Sequence, residues 1–267
     1  MNHSFEIKIA EVMFRITFND RRLFNVLKKY FYPAKSNSPA EFEIFVKKNY
    51  KESGFKVINN RKVEIYFPNG KLTKFRLSRL HYAVVVAAGY LGLTKNFFFL
   101  HASAFVKNNK AYIFAAPSGG GKTTIIKRIN RNQFLADDVV IIKKIKNQLF
   151  VYSSPFEKKA TPSIREKVPI VAIYFLHQSK NNAIKNLYCP QSLKRLVYNH
   201  IFFPFGDYGQ IMNSTKIQGL LKKVKKQKKY KKNIKLLFRL AIFITQNVPG
   251  YDLFFTKDID FRKGLNV

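Results

Sequence analysis

One run constrains this chain more than any other: Ala111-Tyr112-Ile113-Phe114-Ala115-Ala116-Pro117-Ser118-Gly119-Gly120-Gly121-Lys122-Thr123-Thr124. Ala111 to Phe114, β-branched and aromatic, reads as a buried strand. A loop with three consecutive glycines follows, and Lys122, Thr123 and Thr124 open a segment to Asn130 that reads as the first turns of a helix. Strand, glycine loop, Lys-Thr and helix, in that order, are the makings of a phosphate-binding loop. Glycines let backbone N–H groups close around phosphate oxygens where a Cβ would intrude. The helix N-terminus adds partial positive charge, Lys122 can reach the β and γ phosphates, and the Thr123 hydroxyl suits Mg2+. In the pattern G-x-x-x-x-G-K-[ST], Ala116 stands where the first glycine belongs. Alanine is the smallest replacement, so Ala116, Pro117, Ser118, Gly119, Gly120, Gly121, Lys122, Thr123 and Thr124 together are the expected nucleotide-binding residues.

Past the loop helix, Asp137 and Asp138 sit between Phe134-Leu135-Ala136 and Val139-Val140-Ile141-Ile142. Neighbouring side chains of an extended chain point to opposite sides. At the mouth of a sheet one carboxylate suits Mg2+, directly or through water, and the other suits accepting a proton from an attacking hydroxyl. Which Asp takes which part is left open, and the plain alternative is an Asp-Asp surface turn. His101 lies in the apolar run Phe97 to Phe105, just before the hairpin that leads into the loop. It reads either as a satisfied core histidine or as a side chain of the same site.

The rest of the chain frames this site. Residues 1 to about 77 carry period-two runs, Phe5 to Ile9, Phe42 to Val46 and Lys62 to Phe67, with Pro68-Asn69-Gly70 as a turn between strands. They predict a small β-rich region. Ser78 is placed to cap a buried helix reaching about Leu93. Strands are expected at Phe97 to Phe105, Leu149 to Tyr152, Val168 to Leu176 and Asp252 to Phe255. Helices are expected from Pro190 to about Phe203, over Thr215 to Val224, and from Ile234 to Ile242. Lys158, Lys159 and Arg165 lie in a polar loop, as substrate contacts or as plain solvated charge. His177 and His200 have no spacing that suggests a metal.

The chain has 267 residues, 46% of them hydrophobic, enough for a substantial core. Cys189 is its one cysteine, which excludes an internal disulfide and a cysteine-based zinc cluster. No apolar stretch approaches the ~18–20 residues of a membrane span, and the first residues lack a signal-peptide block. The default is the cytoplasm, with no membrane partner. The net charge of +34 raises nucleic acid as a partner. The basic residues, however, are 37 Lys against 12 Arg, and the guanidinium fork is the better reader of phosphate and base. Nucleic acid is therefore not expected as the main partner. Lys222 to Lys235, with nine lysines in fourteen positions, is expected to be an exposed, mobile connection or frayed helix ends between two helices.

These features together resemble the HPr kinase/phosphorylase-like P-loop family, whose nucleotide domain is similar to that of phosphoenolpyruvate carboxykinase. The resemblance is carried by Phe99 to Ala104 around His101, by Ala116 to Thr124, and by Leu135 to Val140. Val168 to Leu176 and Asn247 to Leu253 fit more loosely, in the manner of the divergent members found beside peptide-modification genes. It implies an α/β fold, a mixed β-sheet P-loop domain over residues 78–267, with the β-rich region of residues 1–77 beside it. It also implies ATP and Mg2+ as cofactors, with Lys122 on the phosphates, Thr123 and one of Asp137 and Asp138 on the metal, the other Asp as base, and His101 near the γ-phosphate. The chain has no counterpart of the Glu-Val-Arg-Gly-like signature of true HPr kinases, so HPr is not implied as the acceptor.

The expectation is an ATP-dependent, Mg2+-requiring phosphotransferase acting on a protein or small-molecule hydroxyl. A catalytically reduced ATP-binding partner in a peptide-modification pathway and a basic nucleic-acid-binding protein are the alternatives. The acceptor, ATP against GTP, and a homo-oligomer are left open.

Overall fold

The computed structural model describes residues 1–34, 39–51, 53–117, 119–126, 133–156, 167–197 and 228–256. Ser118, Lys158, Lys159, Arg165, His200 and the helix expected over Thr215 to Val224 lie outside these residues. So does the end of the helix expected to run to Phe203. The described chain forms two mixed β-sheets with helices against them, a mixed α/β fold.

The first sheet holds β1 (His3–Ile9), β2 (Val12–Phe18), β3 (Phe42–Tyr50), β4 (Gly54–Asn59) and β5 (Lys62–Pro68), ordered β1-β2-β3-β5-β4. Its pleat sends Phe5, Ile7 and Ile9 inward while Lys8 stays in water. α1 (Arg21–Leu27) is capped by Asp20, whose carboxylate accepts from the Leu23 N–H at 2.8 Å, and it buries Leu23 and Leu27 on the sheet.

Pro68-Asn69-Gly70 leads into a helix, not a further strand. That helix, α2 (Lys74–Gly92), starts a turn earlier than Ser78, because Thr73 supplies the cap: its hydroxyl accepts from the Arg76 N–H. Nothing between Lys74 and Leu77 breaks a helix, so the cap nearest the turn wins. α2 is apolar nearly all round and is buried accordingly. One buried cluster runs from Ile44 and Ile65 of the first sheet through Val84 and Ala87 of α2 to Phe97, Phe99 and Ile141 of the second.

The second sheet comprises β6 (Phe97–Leu100), β7 (Ala102–Lys107), β8 (Lys110–Ala115), β9 (Phe134–Ala136), β10 (Val140–Ile145), β11 (Gln148–Tyr152), β12 (Val168–Gln178), β13 (Ala183–Leu187) and β14 (Gly250–Phe255). The main order is β6-β10-β11-β12-β8-β7-β9, with β14 also on β12 and β13 on β14. The strand expected over Phe97 to Phe105 is two strands that part at His101. β6 pairs with β10, whereas β7 pairs with β8 and β9. Asn108 and Asn109 turn the β7–β8 hairpin with φ of 52° and 56°, the left-handed pair that a tight hairpin demands.

β12 runs parallel to β8 on one side and to β14 on the other. Alternation sorts these strands into two faces. Ala111, Ile113, Ala115, Ile173 and Phe175 meet Leu196, beside α4 (Cys189–Arg195), and Leu237, Ala241 and Ile244 of α5 (Lys228–Asn247). Tyr112, Phe114, Ala116, Tyr174, Leu176 and Phe255 form the other face with Ile125 of α3 (Lys122–Ile126). From Lys228 onward the lysine run forms the start of α5, and residues 222–227 of the run lie outside the described residues. Ile234, Leu237, Leu240 and Ala241 give that helix an apolar stripe to bury, which overrides the charge of the lysines between. Among the described residues no helix is long and apolar enough to cross a membrane.

Candidate functional site

β8, β12 and β14 run in one direction. β7 is antiparallel to β8 and β9 antiparallel to β7. The sheet therefore brings the C-terminal ends of β8, β9, β12 and β14 and the start of β7 to one edge. Ligands of open α/β sheets bind at such an edge. The glycine loop leaves it from β8, His101 enters β7 there, and Asp137 and Asp138 follow β9. Lys122, His101, Asp137 and Asp138 are thus gathered around one place, although two of them come from apolar runs with no shared motif.

The loop is closely fitted. Gly121 holds φ of 96° and Gly119 φ of 80°, where side-chain-bearing residues are strained. A Cβ at Gly120 would meet the Ala116 Cβ at 2.6 Å. Ala116 itself is fully buried on the aromatic face. The alanine in place of the motif's first glycine therefore packs as core, and it makes Gly120 obligatory. The loop closes on itself through Gly120 N–H to Pro117 O at 3.0 Å, and the Gln178 side chain at the end of β12 donates to Gly119 O at 2.9 Å.

Lys122 is buried, and its Nζ donates to Ala116 O at 2.8 Å and Pro117 O at 3.2 Å. Its ammonium is folded over the loop that leads to it. Thr123 is exposed on the first turn of α3, and Thr124 is half-buried.

The two aspartates part company. Asp137 is buried, and its carbonyl accepts from the fully buried Ser103 hydroxyl at 2.6 Å. Asp138 has its side chain 74% exposed, with His101 Nε2 2.9 Å from Oδ1. The pair bends between β9 and β10 instead of continuing a strand. Tyr82 of α2 stands near this group: burial pushes its phenol up to about 12, and the Asp138 carboxylate adds to the shift. Tyr82 was not singled out from the sequence, where it looks like one more apolar helix residue.

A second group was also missed. His177 Nε2 lies 2.8 Å from Asp252 Oδ1, and Arg195 Nη2 donates to Asp252 Oδ2 at 2.7 Å. His177, which has no spacing that suggests a metal, meets a carboxylate across the β12–β14 pair. A signal existed: a carboxylate in the apolar strand Gly-Tyr-Asp-Leu-Phe-Phe needs a buried counter-charge, but naming it required the strand register.

Among the described residues no group of three or more His, Cys, Asp or Glu could hold a metal by itself. The oxygen set of Thr123, Asp137 and Asp138 is of the kind that shares Mg2+ with phosphate oxygens. A scan against protein-family models matches none of them, and a search of the curated proteins finds no match for the chain.

Proposed function

We propose that this chain is a nucleoside-triphosphate-dependent phosphotransferase of the HPr kinase-like P-loop type, with a hydroxyl as acceptor. The observation that carries the reading is the convergence of Lys122, on a glycine loop at the end of β8, with Asp137, Asp138 and His101 on the neighbouring strand ends. ATP is the expected donor.

The loop's N–H groups, set free of Cβ atoms at Gly119 to Gly121, cradle the phosphates. Lys122 exchanges its carbonyl partners for β and γ oxygens, and its burial makes that charge strongly felt. Mg2+, held by Thr123 and Asp137, would neutralise charge on the β and γ oxygens. Asp138, open to solvent and steered by His101, takes the proton of the acceptor hydroxyl. The acceptor oxygen bonds to the γ-phosphorus, the bond to the β–γ bridging oxygen breaks, and the nucleoside diphosphate leaves with that electron pair. The proton passes from Asp138 to water.

The test incubates the full chain with labelled ATP and Mg2+, with and without cell extract, beside Lys122→Ala. Label transferred to an acceptor by the parent and not by the variant supports the reading. Nucleotide binding without transfer points to the reduced partner module instead. Equal nucleotide affinity of parent and variant in calorimetry removes the phosphate loop as a site.

A further inference from the structure

α2 stands on the same side of the second sheet as the glycine loop's helix, although no residue of it enters the proposed transfer. Alternation gives that sheet two sides. Leu100, Ala102, Ile113, Val140, Val151 and Phe175 share one of them with α4 and α5. Phe99 and Ile141, which pack against α2, lie on the other. So do Phe105 and Phe114, which pack against Ile125 of α3.

The packing also sets the direction of α2. Gly92 lies against the Phe97 ring and Gly89 against the Phe99 ring. The helix thus recedes as β6 advances, and its earlier residues pass beyond the strand end at Leu100. That end is the His101 edge, since Leu100 is paired with Val140, two residues after Asp138. Tyr82 is seven residues before Gly89, on the same stripe and about 10 Å away along the helix axis. β6 has one residue left after Phe99, so Tyr82 overhangs the edge where His101 and Asp138 meet. The Asp138 charge is felt at its phenol.

Exposure changes at this residue. On the same flank of α2, Val86 and Gly89 are buried, Tyr82 is half-buried, and Phe75, Ser78 and Arg79 are exposed. Tyr82 is therefore where the covered flank opens to solvent. Burial pushes the phenol up to about 12, so it carries its proton at neutral pH. A protonated phenol presents an O–H and lone pairs at the tip of an apolar ring. The Asp138 carboxylate presents acceptors alone. A hydroxyl compound lying between the two meets a donor on one side and a base on the other.

We propose that Tyr82 is an acceptor-binding residue: its ring walls the acceptor against Asp138, and its hydroxyl hydrogen-bonds the acceptor beside the reacting oxygen. This rests on the transferase reading and adds the side from which the acceptor comes, along the exposed flank of α2. The loop and Lys122 hold the nucleotide, so the two substrates depend on different residues.

The test uses the full chain with labelled ATP, Mg2+ and a dilution series of cell extract as the source of acceptor. Tyr82→Phe keeps the ring and removes only the hydroxyl. The extract concentration that gives half-maximal transfer should rise about fivefold in this variant, as the loss of one hydrogen bond requires. The ATP concentration that does so should stay within about twofold, and the unfolding temperature should not change. Tyr82→Ala, which removes the ring as well, should raise the extract requirement further. Tyr82→Phe with the parent's dependence on extract overturns the inference. A fall in maximal rate with both half-maximal concentrations unchanged also overturns it, because Tyr82 then acts through Asp138 and not on the acceptor. So does early unfolding of Tyr82→Phe, or loss of its affinity for a non-hydrolysable ATP analogue in calorimetry, which assigns the residue to the fold. If the parent binds the analogue but labels nothing, the transferase reading itself has failed, and the acceptor site falls with it.

Discussion

The Phe255 ring lies directly beneath Gly121: a Cβ added to that glycine would come within 2.3 Å of Phe255 Cζ. The last described strand thus sets the floor of the glycine loop. Gly121→Ala meets two penalties, a φ of 96° and this contact. It should lose about 2–4 kcal/mol of stability and all measurable triphosphate affinity. Gly119→Ala has the φ of 80° but open space around it, so it should cost only about 1–2 kcal/mol. Thermal unfolding with nucleotide titration on the two variants checks the contrast. Equal losses at both positions would show that Phe255 does not shape the loop.

The aspartates should separate by burial. Asp137 is held from behind by the Ser103 hydroxyl on its carbonyl. Ser103→Ala should cost about 1–2 kcal/mol of stability and lower turnover along with it, through displacement of the carboxylate. Asp138→Asn should leave stability nearly unchanged, since that side chain is 74% exposed, yet remove turnover because an amide cannot take the proton. Asp137→Asn should mainly raise the Mg2+ requirement. Wild-type turnover of Asp137→Asn and Asp138→Asn at limiting Mg2+ would leave the pair a structural turn.

Much of this site was legible because its parts are local. The glycine loop and its lysine are contiguous, the two aspartates are neighbours, and the strand before the loop has no competing pattern. What escaped depended on register or on distant partners. His101 could not be assigned from its own run, since only the parting of β6 from β7 puts it at the sheet edge. The His177–Asp252–Arg195 group joins three elements far apart in sequence. In the fold, β2 was passed over although Val12 to Phe18 is strand-like throughout, and β13 escaped because Ala183 to Leu187 is exposed almost throughout and carries no buried alternation. The extra turn of α2 was decided by Thr73, a cap as good as Ser78 and closer to the turn.

Acid should unfasten the first sheet from α1. Burial raises the Asp20 carboxyl, but the Lys48 ammonium and the Leu23 N–H outweigh it, and the net shift is below the ordinary 3.8. A carboxyl lowered by folding contributes stability above its unfolded value, and that contribution is lost as pH falls through the folded one. Asp20→Asn should therefore be less stable than the parent at neutral pH, and the difference should shrink as pH falls through the acid range. Urea unfolding across that range is the measurement. A difference that grows toward acid would reverse the sign and refute the assignment.

The lysine-rich start of α5 hides one residue of a different kind. Asn233 is buried, and its amide donates to Tyr90 O at 2.9 Å, tying α5 to the end of α2. Lys232 and Lys235 on either side are exposed. Asn233→Ala removes this buried tie between the two helices and should cost about 1–3 kcal/mol. Lys232→Gln with Lys235→Gln should change stability by less than about 0.5 kcal/mol per site. The same pair should flatten the salt dependence of any polynucleotide binding, because solvated lysines act there through counterion release. Nucleotide affinity should be untouched, since the charge at the loop comes from Lys122. Unfolding curves for each variant, with polynucleotide titrations at two salt concentrations, separate the roles. If the double lysine variant unfolds as readily as Asn233→Ala, the lysines hold the helix in place. If it loses salt-resistant, sequence-selective binding, the face is a nucleic-acid site.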